Sequence, residues 1–230
     1  MPTLTGSPPI DVTLRRSART RRFSLRVSRL DGRVTLSMPL RARESEAMSF
    51  LKAQEDWLRQ TLVEMSSSVP QSVTLGARLP VEGQHFTLAQ GSGRSIRVEG
   101  DQILVPGDPA QAGARVGAWL KVLARDRLAA ASTHYAGLVN RPYSRLTLRD
   151  TRSRWGSCSH DKALMYNWRL IMAPPSVLTY VAAHEVAHLV EMNHSADFWA
   201  VVAHIYPDYA AERAWLHREG QALHRHRFGD

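Results

Sequence analysis

The stretch 174–189 constrains the fold of this chain more than any other. Two consecutive prolines, Pro174 and Pro175, block a helix from extending towards the N-terminus, and Ser176 is predicted to be the N-cap. The residues that follow are mostly apolar, and the apolar positions recur with helical spacing. The pattern predicts the most regular helix of the chain, placed in apolar surroundings.

Three polar side chains interrupt this apolar helix: His184, Glu185 and His188. Polar groups that are buried without a partner are costly, so these three need one. Residues four apart on a helix share a face, about 6 Å apart along the axis, so both imidazoles can reach one zinc ion at about 2.0–2.1 Å. Glu185 projects beside that ion, where it can take a proton from zinc-bound water. The pattern therefore predicts one zinc ion per chain and a hydrolytic site in which Glu185 is the general base.

A catalytic zinc ion needs a third protein ligand and one open position. His194 is the leading candidate, because a helix that ends near Met192 and Asn193 lets the chain fold back towards the metal. Glu191 is the competing ligand, although on a continuous helix its carboxylate shares a face with His188. The remaining histidines of the C-terminal region are interpreted as mostly solvated helix residues: His204, His217, His224 and His226.

Alternation of apolar and polar residues predicts strands through much of the remaining chain. The runs 23–27 and 34–38 flank Asp31 and Gly32, a pair that favours a β-hairpin turn. A period of three to four residues from Glu44 to Met65 predicts one amphipathic helix. Further strands are predicted at 73–75, 79–81, 85–88, 95–98, 102–105, 145–149 and 163–170, and further helices at about 108–139, 195–204 and from 207 onwards.

These elements predict an α+β fold, with strands and one helix first, then a second helix, a hairpin and a helical C-terminal half. The first twelve residues, rich in proline and serine, are expected to form a flexible tail. Residues 13–230 are expected to form a single domain. Within it, 13–140 is a β-rich and helical part and 141–230 is the zinc-binding core.

Composition argues against several classes of protein. No stretch is long and apolar enough for a membrane helix, and the N-terminus lacks the pattern of a secretory signal, so no membrane partner is expected. The single cysteine, Cys158, excludes an intrachain disulfide and favours a cytoplasmic protein. Cys158 is interpreted as a small buried hydrophobic residue, because a fourth protein ligand would close the metal site to water.

The formal net charge is +9, and much of the excess lies near the N-terminus. Two interpretations of this basic cluster stay open. It can form a surface that contacts DNA phosphates, or it can be the solvated face of a strand in which arginines alternate with Phe23, Leu25 and Val27. The cluster consists of Arg15, Arg16, Arg19, Arg21, Arg22, Arg26, Arg29 and Arg33.

Several segments of the C-terminal half, taken in order, resemble a known family. They are Ser153–Ser159, Asn167–Leu170, Pro174, Tyr180–Leu189, Asn193–Ser195 and Phe198–Trp199. Together they resemble the YgjP-like metallopeptidase family, which is similar to the SprT-like proteases. The resemblance is dense over about residues 145–206 and looser over the N-terminal hairpin and helix.

The resemblance implies a zincin-like fold in which the metal ligands are His184, His188 and His194 and the catalytic residue is Glu185. It also implies that a strand near the active site, with a role in substrate binding, carries Arg154, Trp155, Gly156 and Ser157. A glycine in such a strand permits close approach of an extended peptide. Without the resemblance, the same tryptophan and glycine are equally consistent with core packing beside a bulge.

The function predicted from these residues is a zinc-dependent metallopeptidase that acts on a peptide or protein substrate. One alternative keeps the zinc site but hydrolyses a non-peptide amide or ester. A second alternative is a nucleic-acid-associated module in which zinc is structural. Glu185 argues against the second alternative, because a structural zinc site needs no base beside the metal.

Overall fold

A computed structural model of the protein describes residues 2–28, 32–66 and 70–229, apart from the side chains of residues 64–66. The chain divides into two compact units, residues 1–69 and 70–230. Both contain helices and strands, which confirms the α+β class. The division falls after residue 69 and not at the boundary expected near residue 140, because the long helix before residue 140 packs against C-terminal elements.

The N-terminal unit contains a four-stranded sheet in the order β1-β2-β4-β3. Strands β2 and β4 are parallel, and the two outer pairs are antiparallel. The predicted hairpin is confirmed as β3 against β4, with Val27 opposite Val34, while its turn residue Asp31 lies outside the described residues. The strands are β1 (Thr3–Leu4), β2 (Ile10–Ser17), β3 (Ser24–Val27) and β4 (Val34–Pro39).

The expectation of a flexible tail over residues 1–12 is wrong for the part that the structure describes. Strand β1 pairs with the start of β2, and Leu4, Ile10 and Val12 are buried. Three apolar side chains separated by prolines and serines show no clear period in the sequence, yet all three reach the same core. The first strands are therefore part of the N-terminal unit.

Two helices follow this sheet where the periodicity predicted one. Helix α1 (Glu44–Ala53) ends at Gln54, whose φ of −106° and ψ of 11° depart from helical values, and helix α2 (Glu55–Ser66) starts directly afterwards. The helices are amphipathic as predicted, and buried Leu51 and Leu58 join the core on the sheet. Hydrophobic packing thus holds both helices against one face of the sheet.

The C-terminal unit begins with a second four-stranded sheet, in the order β6-β7-β9-β8. Its strand order and strand directions repeat those of the first sheet, with a parallel central pair and two antiparallel outer pairs. No sequence repeat accompanies this topological repeat. The strands of this region are β5 (Gln71–Ser72), β6 (Arg78–Val81), β7 (Gln84–Gly91), β8 (Arg97–Glu99) and β9 (Gln102–Pro106).

Helix α3 (Ala112–Leu138) follows a short 3₁₀ turn and forms the centre of the C-terminal unit. Its apolar face carries buried Val116, Leu120 and Leu128. These residues share one core with helix α4 (Pro175–Ala187) and with the 3₁₀ turn Trp168–Met172. The core therefore encloses the helix that the sequence placed in apolar surroundings.

A three-stranded sheet lies beside α4. Its strands are β10 (Arg145–Arg149), β11 (Gly156–Cys158) and β12 (Ala163–Asn167), in the order β10-β12-β11. Strand β11 therefore occupies an edge and, among the described residues, pairs only with β12, in antiparallel register. The strand predicted over 163–170 ends at Asn167, because the Asn167 side chain accepts a hydrogen bond from the Arg169 N–H and starts the 3₁₀ turn.

The ends of α4 differ from prediction at both sides. Pro174 is the N-cap, and Ser176 lies inside the first turn. The helix ends at Ala187 with His188 as C-cap, earlier than the predicted end near Met192 and Asn193. The remaining elements are α5 (Ala196–Ile205), α6 (Tyr209–Glu219), the 3₁₀ turn Gly220–Arg225 and β13 (His226–Arg227), which pairs with β5. No helix among the described residues is both long and apolar enough to cross a membrane.

Candidate metal centre

Three imidazoles converge at the end of α4. His184 lies in the last turn of the helix, His188 is its C-cap, and His194 lies in the connection to α5. One ring nitrogen from each lies within 4.8 Å of the other two, and Nε2 of His184 is 3.2 Å from Nε2 of His194. Nitrogen ligands at about 2.0–2.1 Å from a tetrahedral zinc ion are about 3.3 Å apart. The three side chains can therefore hold one metal ion.

The connection between α4 and α5 fixes the position of His194 from both sides. After His188, the Glu191 N–H donates to the Ala187 carbonyl at 3.0 Å, which continues the helical turn for a few residues. Beyond His194, Ser195 is the N-cap of α5, and its own N–H donates to the Asn193 side chain at 2.8 Å. The chain thus folds back within one short turn, as the sequence predicted.

Glu191, the competing ligand in the sequence analysis, contacts His188 through its backbone carbonyl. Nδ1 of His188 lies 2.9 Å from the Glu191 carbonyl oxygen. In the tautomer that donates from Nδ1 to this carbonyl, the lone pair of Nε2 is free for a metal, and the ring orientation is fixed. The Glu191 carboxylate is not part of the ligand group that the described residues form.

Burial keeps two of these imidazoles neutral at neutral pH. Burial, together with the neighbouring charges of His188, His194 and Arg213, lowers the pKa of His184 to about 3. Burial also lowers the pKa of His188. Metal ions bind neutral imidazole, so these shifts favour a metal over a proton at the same nitrogen. Nδ1 of His184 is buried without a hydrogen-bond partner among the described residues, so no hydrogen bond at this nitrogen fixes the ring.

The Glu185 side chain lies against the edge strand β11. Its side chain is buried, with 5% of its surface exposed. Burial raises the pKa of this carboxyl to about 8, and the positive charge of Arg154 opposes the increase. A side chain on Gly156 would place its Cβ only 2.5 Å from Oε1 of Glu185. Strand β11 and the Glu185 carboxyl therefore lie so close together that position 156 has no room for a side chain.

The four residues predicted to bind substrate have different surroundings. Gly156 lies against Glu185, and exposed Arg154 acts on the same carboxyl through its charge. The Trp155 ring stacks on the His224 ring at 5.2 Å, which is a packing contact. Ser157 is half-buried in the middle of β11. Their role in binding a substrate stays a prediction.

An aromatic wall beside the imidazoles was not identified from the sequence. The buried Phe198 ring stacks on His188 at 4.4 Å, and the Trp199 ring lies 5.8 Å from His184. Trp199 stacks on Tyr209 at 5.2 Å, and the Arg213 guanidinium lies over Trp199 at 4.6 Å from the ring centre. Phe198 and Trp199 entered the sequence analysis only as part of the family resemblance, and nothing in the sequence of α6 indicated that Tyr209 and Arg213 lie beside this site.

Cys158 lies at the end of β11 and remains a protonated thiol. Burial raises its pKa to about 11, and the negative charge of Glu185 adds to the increase. Its sulfur donates weakly to the Ser159 carbonyl at 3.6 Å, and it is not part of the ligand group. A thiolate is the reactive form of cysteine, so this environment argues against a nucleophile.

A hydrogen-bond network is centred on Arg169, in the segment Asn167–Leu170. The Arg169 guanidinium makes two hydrogen bonds to the Asp150 carboxylate, at 2.8 and 3.0 Å. It also donates to the carbonyls of Leu223 and His226, at 3.1 and 2.9 Å. One buried arginine thus ties the segment that leads into β11 to the C-terminal end of the chain.

The histidines near the C-terminus divide into two pairs. His204 and His217 are exposed on α5 and α6, as predicted. His224 is half-buried in the 3₁₀ turn that follows α6, and His226 is buried in β13, so neither is a solvated residue of α6. The His224 ring packs on Trp155, and the His226 carbonyl accepts a hydrogen bond from Arg169. Burial and the positive charge of Arg169 together lower the pKa of both His224 and His226 to about 4.

Comparison with known proteins gives one family and one similar structure. A family model described as YgjP-like, metallopeptidase domain, matches residues 21–219. The crystal structure of the metallopeptidase zymogen of Pyrococcus abyssi abylysin is similar with a TM-score of 0.36 and 16% identity, over 40% of this chain and 95% of that chain. Among curated proteins, no sequence matches.

Proposed function

Since the chain belongs to the YgjP-like metallopeptidase family, we propose that it hydrolyses peptide bonds with one zinc ion bound by His184, His188 and His194. The convergence of three imidazole nitrogens within 4.8 Å of one another, one pair of them 3.2 Å apart, carries the proposal. Three protein ligands leave one coordination position open, which is typical of catalytic rather than structural zinc. A zinc ion in such a site lowers the pKa of a bound water molecule to about 7 and polarises a carbonyl group.

Glu185 is proposed as the general base. Its carboxyl lies one residue from His184 but outside the ligand group, so it is free to accept a proton. A base is most effective when its pKa lies near the working pH, and burial raises that of Glu185 well above the usual value for a carboxyl. The opposing charge of Arg154 keeps part of the population ionised, which is the form that accepts the proton.

The edge strand β11 is proposed to hold an extended substrate. Its one neighbour in the sheet is β12, so its other edge can pair with the backbone of a peptide. Gly156 lies against the carboxyl of the base, which would bring a peptide bond paired with β11 close to Glu185. An edge strand beside a helix that carries the metal ligands supports a zincin-like arrangement. The free edge of β11 also favours a peptide substrate, because small amides and esters have no extended backbone that could pair with a strand.

Unbiased cleavage of a peptide library tests the proposed function. Protein stripped with a chelator should be inactive, and stoichiometric zinc should restore cleavage. The matched control is His188→Ala, purified identically, which should remain inactive after zinc is added. Two results would oppose the proposal: no peptide cleaved by protein that contains one zinc ion per chain, or equal cleavage by the variant.

A further inference from the structure

The sheet of the N-terminal unit has one apolar face and one polar face. Alternate residues on the first face, among them Val12, Leu36 and Met38, are buried under α1 and α2. The residues between them point to the opposite side, because successive side chains of a strand alternate between faces. We call the central part of this opposite side the polar face; it consists of Thr13, Arg15, Ser24, Arg26, Thr35 and Ser37. Asp11, at the start of β2, lies on the same side, and its carboxylate accepts a hydrogen bond from the Thr3 hydroxyl at 2.8 Å.

Strand register arranges these six residues in two rows across β2, β4 and β3. In one row, Ser37 lies between Arg15 and Ser24. In the other row, Thr35 lies between Thr13 and Arg26. Each row therefore carries one guanidinium and two hydroxyl groups, with Arg15 on β2 at one end of its row and Arg26 on β3 at the opposite end of the other. Strands are about 4.8 Å apart and rows about 6.7 Å apart, which separates the two arginine Cα atoms by about 12 Å.

The arginines of this face have no acidic partner among the described residues. Arg15 and Arg26 are exposed, and no described carboxylate forms an ion pair with either. Three more exposed arginines lie in the loop from β2 to β3, at the end of the sheet where the row of Arg15 lies; they are Arg19, Arg21 and Arg22. Like charges held this close repel one another unless an anion binds.

Charge is segregated within the N-terminal unit. Residues 1–43 contain ten arginines and two acidic residues, Asp11 and Asp31, whereas the helical part 44–66 contains five acidic and two basic residues. A merely solvated face does not require this separation. Arg16, by contrast, has a structural role: its guanidinium donates hydrogen bonds to the carbonyls of Leu40 and Ala42, at 3.2 and 2.7 Å.

We propose that the polar face binds the phosphate backbone of double-stranded nucleic acid without reading its sequence. Guanidinium and hydroxyl groups are the usual donors to phosphate oxygens. Single-stranded nucleic acid binds by stacking its bases on aromatic side chains, and none of the six residues is aromatic. Nor does the face carry large apolar side chains that would insert into an anionic membrane. A duplex presents phosphates outward and needs neither feature.

Binding of a 20-base-pair duplex to the full-length protein tests this surface, by fluorescence anisotropy from about 50 to 200 mM salt. Arg15→Gln and Arg26→Gln should each raise the Kd by about three- to ten-fold at the lowest salt and reduce the salt slope by about one. Lys52→Gln is the matched control, because Lys52 is an exposed cation on α1, away from the polar face. It should leave both the Kd and the slope unchanged.

Several results would overturn the proposal. They are no duplex binding at about 50 mM salt, equal effects of all three substitutions, tighter binding to single strands, and binding to anionic vesicles without binding to duplex. Circular dichroism and zinc content should match the wild type in every variant, which excludes misfolding as the cause of a lost affinity. The readout is independent of peptidase activity, so the two proposals can fail separately.

Discussion

Replacing Gly156 with alanine should displace the proposed base while leaving the metal ligands in place. The added Cβ would lie 2.5 Å from Oε1, 2.6 Å from Cγ and 2.8 Å from Cδ of Glu185. Gly156 does not have a left-handed backbone conformation, so alanine introduces no backbone strain of its own. The whole effect must come from contact with the carboxyl.

The size of the effect follows from these distances. Ordinary contacts of a Cβ begin at 3.4 Å, so the carboxyl has to move by nearly 1 Å. A misplacement of about 1 Å in an active site can reduce the rate by about 100-fold. If the buried carboxyl cannot move, the overlap instead costs about 1–3 kcal/mol of folding free energy.

Turnover, zinc content and unfolding by urea should be measured together for Gly156→Ala. We expect turnover to fall by about 100-fold with zinc retained. Gly137→Ala is the control, since Gly137 lies near the end of α3 and a Cβ there meets no atom within 4 Å. Full activity of Gly156→Ala with unchanged stability would refute the contact between β11 and the base.

Three further predictions concern the ligands and the supporting network. His194→Ala should lower zinc affinity, measured by competition with a chelator, whereas His204→Ala should not; equal losses would remove His194 from the site. Arg169→Lys should destabilise the protein by about 3 kcal/mol or more in urea, because one ammonium cannot replace the paired bonds to Asp150 and two carbonyls; a loss below about 1 kcal/mol would make the network dispensable. Because the folded-state pKa of His224 is lowered to about 4, this histidine binds a proton more tightly in the unfolded chain, so its contribution to stability should be lost as pH falls from about 6.5 to 4. In metal-free protein, the difference in urea midpoint between pH 7.5 and 5 should be smaller for His224→Gln than for the wild type, and unchanged for His204→Gln. An equal decrease in both variants would contradict the attribution of this pH dependence to buried His224.

Local spacing made the two α4 histidines predictable. The positions of His184 and His188 on one face depend only on helix geometry, and the metal-ligand interpretation followed from their apolar surroundings. The end of α4 was not predicted correctly, because it depends on a turn in which Glu191 uses its backbone rather than its side chain. In the sequence, Glu191 was a candidate ligand through its carboxylate, and nothing in the pattern indicated that its carbonyl contacts Nδ1 of His188.

Contacts between distant segments could not be predicted in this way. Strand β2 pairs with β4, and β7 with β9, in parallel. The apolar and polar residues of these strands alternate as they do in a hairpin, so the pattern does not indicate parallel pairing. The burial of His224 and His226 depends on Arg169, which lies more than fifty residues earlier in the chain. The need for glycine at 156 likewise arises only when β11 meets Glu185.

The assignment of Glu185 as general base is tested most directly by measuring turnover and zinc content of Glu185→Gln side by side. Glutamine has nearly the same shape but cannot accept a proton at neutral pH. We expect about one zinc ion per chain and a loss of at least about 100-fold in turnover, the contribution typical of general-base catalysis. Glu191→Gln, the same chemical change at a carboxylate outside the ligand group, should retain both zinc and activity. Unchanged turnover of zinc-loaded Glu185→Gln would contradict the mechanism, and loss of zinc together with activity would make Glu185 a structural residue.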